Sequence, residues 1–163
     1  MAAVDYFLKI DGVDGESTDD KHKGEIELQS YSIGHTNNAS FMSGTSGGGS
    51  GKVQMQDFHF VKLVDKSSAK LHTACATGEH IAKATLVCRK AGKDQQEFLT
   101  IVLSPILVSS FQNGGAHGSD MIPTEQISLA FGKIEFKYKP QDDKGALGGE
   151  VIGGWNVQAN KAV

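Results

Sequence analysis

Cysteine is scarce in this chain of 163 residues, which carries only two. Cys75 in HTACAT and Cys88 in TLVCRK are too few for a disulfide framework of the small secreted kind. Their small or apolar neighbours predict two reduced thiols in the core. Long hydrophobic runs are also missing. No stretch approaches the ~18 consecutive apolar residues that would span a membrane. The N-terminus, MAAVDYFLKIDG, has no basic region followed by an apolar run, so no secretory signal is expected there. An excess of one charge is lacking too: 16 Lys and Arg stand against 19 Asp and Glu, a net charge of −3. Such a balance gives no general attraction to nucleic acid or to acidic membranes.

The chemistry-bearing motifs are equally thin. Gly51 and Lys52 would complete a phosphate loop only with glycine at position 46 and a hydroxyl residue at 53, where Ser46 and Val53 stand. Six histidines (His22, His35, His59, His72, His80 and His117) are scattered, none at metal-ligand spacing from a second ligand. They are expected on the surface. Neither cysteine has a reactive setting. Glu25, Glu27, Asp57 and Glu135 fall on solvent-facing positions by alternation and read as face charges. No enzyme, metal or cofactor is expected.

What is present is strand signal. VDYFLKI (4–10), GEIELQSYSI (24–33), KVQMQDFHFVKL (52–63), KATLVCRK (83–90), EFLTIVLS (97–104), ILVSSF (106–111), the stretch 127–138 and GWNV (154–157) alternate or run apolar between turn residues. Pro105 is expected at an edge or between strands. One helix is predicted in DKSSAKLHTACATG (65–78), with Ser67 or Ser68 as N-cap, Leu71, Ala74 and Cys75 on one face, and Gly78 as stop. About eight strands and one short helix in a chain of this length read as one domain, 1–163, mainly β, of the sandwich or small-barrel class.

Two stretches change parity. In ISLAFGKIEFKYKP, Ile127, Leu129 and Phe131 are odd-numbered, whereas Ile134, Phe136 and Tyr138 after Gly132 are even-numbered. A slip of one residue sends the apolar row to the opposite face. Val53 and Met55 against Phe58 and Phe60 suggest a second change within one strand. Either bulges bend these strands so that a barrel closes, or one apolar row packs against a neighbouring subunit. Ile134, Phe136 and Tyr138 are the candidates for that contact. Two glycine-rich segments, FMSGTSGGGSGK (41–52) and NGGAHGSD (113–120), read as flexible loops or as contact elements ordered by assembly.

The pieces DYFLKIDGVDGES, SYSIG, the glycine-rich loop into KVQMQDFHFVK, DKSSAKL, GKDQQEFLTIVLSPILVSSFQ, FGKIEFKYKPQ and GGWNVQAN together resemble the haemolysin-coregulated protein (Hcp) family, the tube protein of bacterial type VI secretion. The resemblance runs essentially end to end. It implies a small closed β-barrel of two sheets with one α-helix on its flank, assembling as a hexameric ring that stacks into a tube. It further implies cytoplasmic assembly and export without a signal peptide, driven by a contractile sheath behind the spike protein VgrG, with small effector proteins carried in the channel. On this resemblance, Ser30 and Ser32 of SYSIG face the channel. Ser43, Gly44, Gly47, Gly48, Gly49, Gly51 and Lys52 belong to the loop that reaches toward the adjacent ring. No effector domain is expected beyond Trp155. The alternative, from a different class, is a monomeric β-barrel module holding a ligand in one cavity.

Overall fold

A computed structural model describes residues 3–39 and 50–163. Twelve strands and one helix follow in order: β1 (Val4–Ile10), β2 (Ile26–Glu27), β3 (Ser30–Ser32), β4 (His35–Ala39), β5 (Ser50–Met55), β6 (Phe58–Leu63), α1 (Ser68–Thr77), β7 (His80–Ile81), β8 (Ala84–Lys90), β9 (Glu97–Gly114), β10 (Thr124–Tyr138), β11 (Val151–Asn156) and β12 (Lys161–Ala162). Ten strands form one antiparallel sheet, ordered β12-β11-β10-β9-β8-β1-β2, with β6 also on β10, β3 on β6 and β7 on β9. β4 and β5 form a separate hairpin.

The expected closed barrel of two sheets is not what the chain forms. The large sheet curls until its ends approach, and residues 26–32 span the gap, but no ladder runs through. β2 pairs with β1 and β3 pairs with β6, and Leu28 and Gln29 between them belong to neither strand. Leu28 N–H still donates to Tyr6 O on one side (3.0 Å) and Gln29 N–H to Val61 O on the other (2.8 Å). The segment changes neighbours at this point, so the sheet stays open there.

Alternation builds the core. Phe58 and Phe60 of β6, Ile127 and Leu129 of β10, Leu8 and Ile10 of β1, Leu86 of β8, and Ile101, Leu103 and Ile106 of β9 point inward and are fully buried. Helix α1 lays Leu71 and Ala74 into this core, one turn apart on the same face. It stops at Gly78, whose left-handed backbone (φ 69°) accommodates a C-terminal cap. Its N-cap position is Ser67, one of the two expected. Ser67 makes no side-chain cap; instead Asp65 Oδ1 accepts the Ser67 N–H (2.9 Å) and Ser68 Oγ accepts the Asp65 N–H (3.1 Å). Both bonds satisfy backbone N–H groups of the turn that leads into the helix.

The parity changes resolve differently. The one in residues 52–63 is a break between two strands, with β5 ending at Met55 and β6 starting at Phe58. The one in β10 is a true change of face within a continuous strand. Before it, Glu125, Ile127 and Leu129 are buried; after it, Ile134 is. The register against β9 shifts between Ser128 and Leu129, leaving Ser109 as the extra residue of a bulge. Pro105 sits inside β9 rather than between strands, where β9 passes from β8 to β7 as its neighbour and no N–H is required. Gly132 lies against it, close enough that a Cβ there would stand 3.1 Å from Pro105 Cδ.

The histidines are not all on the surface. His22 is buried, its ring stacked on Phe7 (centroids 4.4 Å apart, planes 8° apart). Its two nitrogens lie 2.6 Å from Glu25 Oε2 and 2.7 Å from Glu97 Oε1. Glu25 is therefore a hydrogen-bond partner of a buried ring as well as a strand-flanking charge. Arg89, also buried, holds both Asp19 oxygens (2.9 and 2.7 Å) and reaches Asp5 (3.3 Å), with its guanidinium over the Phe7 ring. Together these contacts fasten the loop of residues 11–25 to the sheet.

Candidate functional site

The strand β6 places Phe58 and Phe60 inward, and so turns His59 and Val61 outward. β10 likewise buries Ile127 and Leu129 and turns Gln126 and Ser128 outward. Cross-strand register then aligns the outward residues into two rows. One runs Ser32–His59–Ser128–Ser110 across β3, β6, β10 and β9. The other runs Ser30–Val61–Gln126–Gln112 across the same strands. Directly paired side chains on neighbouring strands lie within about 5 Å, so each row is a continuous surface. His59 Nδ1 and Ser128 Oγ are 3.1 Å apart.

This face presents hydroxyl, amide and imidazole groups and no permanent charge. Over the stretch where β6 pairs with β10, the charged residues Lys62 and Glu125 lie on the inward side. Asp57 stands at the margin of the face, where its Oδ2 accepts a hydrogen bond from Ser109 of the bulge (2.6 Å). Between Ser30 and Ser32, Tyr31 points the other way. It stacks on Phe58 (5.9 Å), meets Tyr6 edge-on (5.4 Å), and accepts a contact from Cys88 Sγ at 3.9 Å. Burial pushes the Tyr31 hydroxyl well above its ordinary range and the Cys88 thiol up to about 11, the latter against the opposing pull of the Tyr31 hydrogen bond. Cys88 is thus a packed thiol with little nucleophilic character.

A second feature lies at the far end of β10. Past Gly132 the even-numbered side chains face the β4–β5 hairpin, and a cavity of about 700 Å³ opens between them. Ile33, Val53, Met55, Ile134, Phe136 and Trp155 line it. Trp155 Nε1 is buried there, with no hydrogen-bond partner among the described residues. Beyond the cavity, Tyr138, Val151 and Ile152 are exposed, and Met121 and Ile122 are exposed in the β9–β10 connection at the opposite end of those strands.

The residues singled out in the sequence are distributed accordingly. Ser30 and Ser32 are both exposed, on the uncharged face. Phe136 and Tyr138 are 45% and 44% exposed, whereas Ile134 is only 9% exposed and belongs to the core cluster, touching the cavity by one edge. Ser43, Gly44, Gly47, Gly48 and Gly49 fall outside the described residues, and Gly51 and Lys52 fall on β5, Lys52 exposed. Reading the chain missed His59, Ser110, Gln112, Gln126 and Ser128. Their outward parity was visible beside Phe58, Phe60, Ile127 and Leu129; the register that aligns them was not. Among the described residues no cluster of three or more metal-ligating side chains occurs, and no helix is long and apolar enough to cross a membrane.

Comparison with known proteins agrees with the resemblance. The family described as Type VI secretion system effector, Hcp, matches residues 7–138. The hcp1 protein of Pseudomonas aeruginosa is 44% identical over 160 residues, covering 97% of this chain and 98% of that protein. A solved type six secretion system protein superimposes with a TM-score of 0.93 at 36% identity, over 99% of this chain and 100% of that one. The crystal structure of Hcp1 from Salmonella typhimurium gives 0.82 at 34% identity, over the full length of both. With a family match over most of the sequence and a relative this similar across nearly all of it, the chain belongs to the Hcp family of type VI secretion proteins.

Proposed function

We propose that this protein is the tube subunit of a type VI secretion system. Six copies close head to tail into a ring, rings stack, and the tube is exported by a contracting sheath behind the spike protein VgrG. The uncharged face of β3, β6, β10 and β9 forms the channel wall, and small effector proteins ride against it. The observation that carries this reading is the face itself. Two rows of hydroxyl and amide groups, interrupted by one imidazole and one valine and without permanent charge, offer weak, unspecific hydrogen bonding, which suits a wall that must hold varied cargo and release it. Family membership and the apolar surfaces away from that face support self-assembly. A closed ring of identical subunits needs two different complementary surfaces per copy, and Phe136, Tyr138, Val151 and Ile152 lie at the opposite end of β9 and β10 from Met121 and Ile122. The segment of residues 41–52, whose last three residues lie on β5, is assigned to contact between stacked rings.

Native mass spectrometry tests the ring. A species of about 104 kDa, six times the 17.3 kDa chain, is expected at low micromolar concentration. A monomer persisting at high concentration overturns the tube reading in favour of a ligand-binding module that uses the cavity beside Trp155.

A further inference from the structure

We propose that the Met121–Ile122 corner of one copy seats in the cavity beside Trp155 of a second copy, where a main-chain carbonyl of the corner accepts from Trp155 Nε1–H. The inference rests on the tube reading above and names the two surfaces through which copies join head to tail. The corner is a fixed projection. Met121 and Ile122 are 68% and 56% exposed. Met121 N–H donates to Ser119 Oγ (3.1 Å) on one side, and Val64 N–H donates to Pro123 O (3.0 Å) on the other, so the backbone is held at both ends. Among the described residues no donor reaches the carbonyl oxygen of Met121 or Ile122. Adjacent large apolar side chains left in water mark a contact surface.

The cavity complements this corner in size, polarity and charge. Its 700 Å³, walled by Ile33, Val53, Met55, Ile134 and Phe136, lies within the usual range for a small-ligand pocket and admits two aliphatic side chains. Trp155 Nε1–H is buried there with no partner among the described residues, which is costly, and it needs an acceptor. The corner brings two carbonyl oxygens that are free. The strands that wall the cavity carry Lys52 on β5 and Lys133 and Lys137 on β10 against one carboxylate, Glu135. The groove bordered by Ile122 is lined instead by Glu16, Glu27 and Asp65 and, among the described residues, by no lysine or arginine. Opposite signs orient the two surfaces toward each other. Corner and cavity lie at opposite ends of β10, so no copy fills its own cavity. Each pair therefore leaves one corner and one cavity free for further copies, as a repeating assembly requires.

Trp155 is the only tryptophan, so its emission reports on the cavity directly. In the full-length chain that emission is expected to change with concentration, in step with association followed by sedimentation. Ile122→Asp places its carboxylate in water and should keep the unfolding midpoint of the wild-type monomer; Met121→Asp serves in its place if it does not. Either corner variant is expected to associate at least about thirtyfold more weakly, a hot-spot effect, and to keep the emission of the dilute protein. Phe136→Asp has an intact corner and a damaged cavity, and Ile122→Asp the reverse. Neither should associate alone, whereas a mixture of the two should pair and change the Trp155 emission. Wild-type association in either variant, or a mixture that stays dissociated, overturns the inference while leaving the tube reading intact. Failure of wild type to associate at all counts instead against the tube reading.

Discussion

Lys62 and Glu125 face each other across β6 and β10 at 2.9 Å, 0% and 1% exposed, on the reverse of the uncharged face. An ammonium group has three protons. Those of Lys62 go to Leu63 O (3.1 Å), Asp65 Oδ1 (2.9 Å) and Ser68 Oγ (3.1 Å), so its attraction to Glu125 Oε2 is Coulombic with no aligned hydrogen bond. Glu125 Oε1 accepts from Asn113 Nδ2 (3.2 Å). The cluster ties the start of α1 to β6, β9 and β10. Lys62→Met leaves Glu125 buried without its counter-charge and is expected to cost about 3–5 kcal/mol in urea unfolding. Adding Glu125→Leu to that variant should restore most of the loss, since an apolar pair can replace a buried ion pair. A single variant as stable as wild type would show that the pair does not hold this corner together.

Acid stability depends on a different pair. Hydrogen bonds from the Arg89 guanidinium hold the Asp19 carboxyl down to about 2, from an ordinary value of 3.8. A depressed carboxylate stabilises the fold above its unfolded value, and that contribution disappears as pH falls through the folded value. Between about pH 4 and pH 2 the unfolded chain binds more protons here than the folded one, so stability declines on acidification. In Arg89→Gln the Asp19 carboxyl should titrate closer to its ordinary range and this part of the slope should flatten. NMR titration of the Asp19 side chain, with thermal unfolding at matched pH, reads both effects.

Gly15 offers a sharper local test. It donates to Gly24 O (2.8 Å) and lies so close to Glu25 that an added Cβ would come within 2.6 Å of the Glu25 carbonyl carbon and 2.8 Å of Ile26 Cα. Both are backbone atoms and cannot rotate away. Gly15→Ala is expected to cost about 1–3 kcal/mol, the range for overpacking. Gly153→Ala, where no atom lies within 4 Å, should be nearly silent in the same unfolding assay.

The contrast between these sites and the sequence shows what a reader of the chain can and cannot see. The helix was legible because Leu71, Ala74 and Gly78 are local signals. The change of face in β10 was legible because parity is counted along one strand. The buried position of His22 was not, because one of its partners, Glu97, lies 75 residues away and belongs to another strand. Lys62 gave no sign of burial, since alternation places it inward beside Phe60 while its charge argues the opposite; Glu125 across the ladder decides the matter. The open sheet escaped notice for a related reason. GEIELQSYSI reads as one strand, and only the two different neighbours of Leu28 and Gln29 break it in two.

On the face proposed as the channel wall, Ser32 is exposed and pairs with His59 in the first row. Ser32→Gln adds a longer side chain to a surface without touching the core. Rings of unchanged mass are expected, with the amount of co-purified effector falling by roughly tenfold, the effect of about 1.4 kcal/mol. Retention at the wild-type level would remove Ser32 from the cargo surface.

Ile134 and Phe136 sit two residues apart on one face of β10, yet substitutions there should report on different things. Ile134 is packed into the core cluster, and Ile134→Asp buries a charge with no partner. The expected outcome is loss of folding, which says nothing about assembly. Phe136 is 45% exposed at the rim of the cavity, so Phe136→Asp places its carboxylate in water. Its unfolding midpoint should stay close to that of the wild-type monomer. If this rim meets a second copy, removing an aromatic anchor should weaken the ring by at least about 2 kcal/mol, the scale of an interface hot spot. Sedimentation across a concentration series separates the cases. A folded, dissociated Phe136→Asp places the contact at this rim, whereas a folded variant that assembles like wild type moves the contact elsewhere on the subunit.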